Sequence, residues 1–135
     1  MMGNANPMMQ YQEQVMSTAT PGMVTVMLFE EAAKNINLAV KAINEQNVQN
    51  SHNHIVKAQN IYLALNGFLN EKYEISKPLS KLYDYLSRRL IEANIKKDIR
   101  ILREVLSFTV EFRDTWKQAE KNLHTQNKSN LINKV

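Results

Sequence analysis

Apolar residues recur along most of this chain in steps of three and four, the spacing that lays a stripe along one face of an α-helix. From about residue 21 to 46 the stripe runs through Val24, Met27, Leu28, Ile36, Ala39, Val40 and Ile43. A second, over about 50–69, passes through Ile55, Ala58, Tyr62, Leu65 and Leu69. A third, over about 78–96, takes in Leu79, Leu82, Tyr83, Leu86, Leu90 and Ala93. The last, over about 99–123, carries Leu102, Val105, Leu106, Phe108, Thr109, Phe112 and Trp116. Period-two alternation is scarce, and Asn66-Gly67, a hairpin signal elsewhere, has helical spacing on both sides. Long helices joined by short links favour antiparallel neighbours, so the pattern predicts an all-α, antiparallel, up-and-down four-helix bundle.

The breaks agree with the stripes. Thr20-Pro21 reads as an N-cap followed by proline at the first helical position, where its missing N–H costs nothing. Pro78 sits in the first turn of the third helix, after a polar connection over residues 70–77. Asp98 is placed to cap the fourth, and with Asn94 it forms a structural corner between the third and fourth helices. Residues 1–123 read as one helical domain. Within it, residues 1–16 form a mobile N-terminal arm with a short helix or extended stretch around 7–16. The polar residues 124–135 read as a flexible tail.

The block Leu82–Trp116 has more apolar and aromatic side chains than one core needs. Its last helix carries two stripes side by side, Ile101, Val105, Phe108 and Phe112 in one, Leu102, Leu106 and Thr109 in the other. One stripe is enough for a surface helix, so the second implies burial on two sides or a face left for a partner. Tyr83 and Tyr85, two residues apart, point about 200° away from each other. Only one can face the core centre, and the other suits a boundary or a partner contact. Leu82, Leu86, Leu90, Leu102 and Leu106 are expected to hold the bundle.

Composition narrows the function classes. The chain of 135 residues has no cysteine, which excludes disulfides, thiolate metal sites and a cysteine nucleophile and fits a reducing compartment. No apolar run approaches the roughly 20 residues that cross a bilayer, and the start lacks a signal-peptide pattern, so the expectation is a cytoplasmic protein without membrane insertion. Charge is uneven: residues 1–78 hold five lysines against six glutamates, and residues 79–135 hold twelve basic against seven acidic groups. The cluster Arg88, Arg89, Lys96, Lys97, Arg100 and Arg103 could meet phosphate, but mixed charge on a solvated helix corner is the ordinary explanation, and no nucleic-acid partner is expected. His52 and His54 diverge on a helix without a third ligand, so no metal is expected. Glu30-Glu31 cannot flank one reacting bond. Without a Gly-rich loop or a nucleophile in context, the sequence predicts neither an enzyme nor a cofactor.

Several spaced blocks carry a family resemblance. The strongest is Leu82-Tyr83-Asp84-Tyr85, Arg89-Leu90, Ala93-Asn94, Asp98, Leu102, Val105, Arg113-Asp114 and Trp116; Tyr11-Gln12, Thr18-Ala19-Thr20-Pro21 and Met27-Leu28-Phe29-Glu30 agree in order before it. Over roughly Tyr11 to Lys121 the chain resembles the flagellar secretion chaperone family, FliS. Phe29 stands where members often have tyrosine and Thr20 where they often have serine, and both changes keep the chemistry. The resemblance implies a four-helix bundle that binds the disordered C-terminal region of flagellin as a helix, keeps it monomeric and passes it to the flagellar type III export apparatus. It also leaves room for a co-chaperone and for a homodimer. The implied flagellin contacts are Leu82, Tyr83, Tyr85, Ile101, Val105, Phe108 and Phe112. Tyr11 and Val15 of the arm would occupy the same groove when flagellin is absent. A generic adaptor for another amphipathic helix is the competing reading; a basic nucleic-acid-binding bundle is the remoter one.

Overall fold

The computed structural model describes residues 20–133 and places them in four α-helices, α1 Pro21–Asn44, α2 Val48–Gly67, α3 Ser76–Lys96 and α4 Ile99–Asn133, with no strand among the described residues. Each helix packs on the next, and α4 closes the ring against α1. This is the antiparallel four-helix bundle the periodicity predicts. The expected N-terminal arm, with Tyr11 and Val15, lies outside the described residues.

Local chemistry sets the ends. Thr20 caps α1, its Oγ1 accepting from Met23 N at 3.2 Å, with Pro21 in the first turn. Asn47 caps α2 in the same way, accepting from Asn50 N at 3.1 Å. The α3–α4 corner turns on Lys97, a non-glycine residue in the left-handed region at φ 51°. Asp98 N donates back to Ala93 O at 3.1 Å, and Asp98 Oδ1 accepts from Arg100 N at 2.9 Å. Asn94 ties the corner to its surroundings, bonding His52 of α2 at 2.9 Å and accepting from Lys97 Nζ. The helix α3 starts at Ser76, slightly before the expected position, with Ser76 Oγ donating to Asn70 O at 2.6 Å across the preceding loop.

The core is aromatic at its centre. Phe29 of α1 stacks on Phe112 of α4 with ring centroids 5.3 Å apart, and Tyr62 and Tyr83 close the cluster from α2 and α3. Such ring pairs contribute about 0.5–1.5 kcal/mol beyond their buried area. The buried Tyr62 Oη lies 2.6 Å from Thr109 Oγ1, which itself donates to Val105 O at 2.7 Å. Tyr62 is therefore the donor to Thr109. This bond spans the bundle from α2 to α4, two helices that are not neighbours in the ring, and satisfies a phenol that would otherwise be costly to bury. Burial pushes the Tyr62 hydroxyl well above its ordinary range, with the Thr109 bond opposing it.

Two features lie at the lower end, where α1 begins. A Cβ at Gly22 would meet the carboxylate end of Glu120 of α4, a flexible side chain that would have to swing aside. Thr20 Oγ1 donates to Glu120 Oε2 at 3.3 Å. The second feature is the length of α4, which is one helix to Asn133 where the stripe predicts an end near 123. Its residues 121–130 are all exposed. They continue the helix without packing because the run contains no proline or glycine to stop it.

Candidate interaction surface

The seam between α3 and α4 is the most sparsely packed of the four. On α3 it is edged by Leu79 and Leu82, on α4 by Phe108, Phe112 and Trp116, all packed on the core yet only partly buried. Between them runs an open furrow of about 260 Å³ lined by Leu82, Phe108, Glu111, Phe112 and Thr115. One helical turn further down, Leu79 and Trp116 enter a larger apolar cavity of about 520 Å³. Its far wall is the α2–α3 loop, which holds out Phe68, Tyr73 and Ile75, each more than 60% exposed. The furrow and cavity together form one apolar track along the lower half of the seam.

The upper half is closed by polar contacts. Tyr85 Oη donates to Glu104 Oε2 at 2.8 Å, and Arg89 Nε donates to Glu104 Oε1 at 2.7 Å. Arg89 also pairs with Glu92 at 2.6 Å, and Glu92 with Lys96 at 2.9 Å. The Arg89 bond, then the Tyr85 bond, holds the Glu104 carboxyl below the ordinary carboxylate range. The same bond raises the Tyr85 hydroxyl. The surface thus has an apolar end suited to side-chain burial and a charged end suited to orienting whatever lies along it.

The candidate contacts divide along this axis. Leu82, Phe108 and Phe112 line the furrow. Tyr85 is 37% exposed just above it, bonded to Glu104. Tyr83, Ile101 and Val105 are corrected as surface contacts: all three are buried, with Tyr83 in the aromatic cluster. The reason is that Tyr83 points inward while Tyr85 points out, and that Ile101 and Val105 lie where the corner brings α3 and α4 together. Burial pushes the Tyr83 hydroxyl up to about 12, with Trp116 opposing the shift. Of the second stripe, Leu102 and Thr109 are also core and Leu106 is partly buried, while the furrow itself is lined from the lower half of the first. Phe68, Tyr73 and Ile75 escape a reading based on periodicity because they sit at a helix end and in a loop. Three large apolar side chains within one short connection were the available signal.

Among the described residues no group of three or more His, Cys, Asp or Glu is placed to hold a metal ion, and no helix is long and apolar enough to cross a membrane. His52 and His54 are occupied separately, His52 by Asn94 and His54 by Asn35.

Comparison with known proteins is consistent along the chain. The family model described as flagellar protein FliS matches residues 4–123. The flagellar secretion chaperone FliS of Bacillus subtilis is 44% identical over 114 residues, 84% of this chain and 86% of that protein. That of Salmonella typhimurium is 31% identical, over 78% of this chain and 81% of its own length. A crystal structure described as a flagellar chaperone from bacteria superposes with a TM-score of 0.71, covering 86% of this chain and 99% of that one, at 19% identity. At that identity the likeness speaks for the fold.

Proposed function

The chain belongs to the FliS family, and from that premise we propose that it is a flagellar export chaperone whose client is the C-terminal region of flagellin, bound in the cytoplasm and handed to the flagellar type III export apparatus. The observation that carries this reading is the open apolar track on α3 and α4. A flagellin end must hide its own amphipathic stripes until assembly, and a helix laid in a groove hides such a stripe. Ordering a disordered segment is costly, so the contact must be long and largely apolar, as a track from Phe68 to Phe108 would be. Leu82, Tyr85, Phe108 and Phe112 are the proposed flagellin contacts, joined by Trp116 and the loop residues Tyr73 and Ile75. Tyr11 and Val15 are proposed to compete for the same track.

Calorimetry with a C-terminal flagellin fragment tests the proposal. Binding at micromolar concentration is expected, tighter after removal of residues 1–16. Absence of heat with flagellin overturns the client, and unchanged affinity of the shortened chain overturns the competition by Tyr11 and Val15. Equal binding of unrelated amphipathic helices would favour a generic adaptor.

A further inference from the structure

The outer face between α2 and α3 carries a second set of exposed apolar side chains, on the other flank of α3 from the furrow. Two hydrogen bonds fix how these helices align. His52 of α2 meets Asn94 of α3 at 2.9 Å, and Asn66 Nδ2 of α2 donates to Asp84 Oδ1 of α3 at 3.0 Å. Between these ties, about 15 Å apart along α3 and about 21 Å along α2, Leu63 is 59% exposed and Ile91 44%; Ile95, one turn beyond Ile91, is 79% exposed. None of the three belongs to the core or to the residues it packs against. On α3, Ile91 and Ile95 are one turn apart and share the flank that bears Asn94. On α2, Leu63 shares the flank that bears His52 and Asn66.

Positive charge predominates beside this strip, with Lys81 and Arg88 set against Asp84. Lys81 and Arg88 stand exposed on the crest of α3 and enter no ion pair among the described residues. The whole of α2 contains no acidic residue. Asp84, one turn from both Lys81 and Arg88, accepts from Asn66 Nδ2 and offsets part of that charge. An apolar strip beside unpaired positive charge is complementary to an amphipathic helix with carboxylates flanking its apolar stripe. A second copy meeting the strip through the same face would bring two such positive crests together, with Asp84 of each offsetting only part of their charge.

We propose that the α2–α3 face is a docking site for an acidic amphipathic helix of a second protein, separate from the α3–α4 furrow, so that a client and a second partner can be held at once. The probe is a synthetic peptide of about fourteen residues, long enough for about 20 Å of helix, with leucines at helical spacing flanked by glutamates; its twin carries lysines in their place. Titrated against the full chain, the acidic peptide is expected to bind at micromolar concentration and the lysine twin at least tenfold more weakly. Replacing Ile91 and Ile95 together by serine should weaken binding at least tenfold, and Arg88→Glu several-fold. Both variants alter only exposed side chains, and circular dichroism checks that the helices persist. Phe108→Ala, in the furrow, should leave the peptide affinity unchanged. Failure of the acidic peptide to bind, equal binding of the twin, indifference to the isoleucine changes, or loss of binding in Phe108→Ala would each overturn the proposal. So would sedimentation showing a wild-type dimer that the double serine variant dissolves, since the face would then belong to a second copy.

Discussion

The α1–α2 seam and the α3–α4 seam use the same fold to opposite ends. Ala32, Ala39 and Ala42 lie on the flank of α1 that carries Asn35, which meets His54 of α2, and Ala58 faces them; all four alanines are buried. Small side chains let helix axes approach closely. The α3–α4 seam is filled instead with Leu82, Phe108 and Phe112, which cannot all be covered by the facing helix and remain partly open. Side-chain size along a helical stripe therefore sets whether a seam is structural or available. Alanines close the α1–α2 seam, and phenylalanines leave the α3–α4 seam partly open.

Overpacking the closed seam should have the largest effect on stability. Ala39→Leu is expected to cost about 1–3 kcal/mol, read as a fall in the urea midpoint, with flagellin affinity little changed under native conditions. The open seam should respond in reverse. Phe108→Ala is expected to lose about tenfold in flagellin affinity, about 1.4 kcal/mol, while the urea midpoint moves less than for Ala39→Leu. If Ala39→Leu abolished client binding in a folded protein, or Phe108→Ala unfolded the bundle, the division between seams would fail.

The smallest effect concerns the polar closure of the upper seam. Glu104 has a folded-state pKa below its ordinary 4.5, mainly through Arg89 and then Tyr85. The contribution to stability is then fully present above about pH 4.5 and is lost as pH falls through the lower folded value. Solvent screens this partly exposed pair, so the change should be modest. Urea midpoints at pH 7 and pH 3 should differ less in Glu104→Gln than in the wild type. Equal pH dependence in the two proteins would show that Glu104 does not stabilise the closure.

Much of the fold was legible because it depends on angle around a helix. Stripe spacing, the Thr20-Pro21 start and the Asp98 cap fix which residues face inward and where helices begin. The surface was less legible because it depends on distance between helices. The period puts Tyr83 and Tyr85 on opposite sides, yet only packing shows that Tyr83 joins Phe29 and Phe112 while Tyr85 reaches Glu104. The stripe Ile101–Phe112 is uniform in sequence, but the corner covers its first half and leaves the second open. The continuation of α4 to Asn133 had no stripe to announce it, since its exposed residues gain nothing from packing and rest on the absence of a breaker.

The position of Trp116 has an optical consequence. It is the single tryptophan of the chain, half-buried where the α3–α4 seam opens into the end cavity. Indole emission follows the polarity around the ring, so the molecule carries its own unlabelled reporter at the point the proposed client would cross. A blue shift on adding the flagellin fragment, absent on adding a ligand of the α2–α3 face, would let one spectrum tell the two surfaces apart.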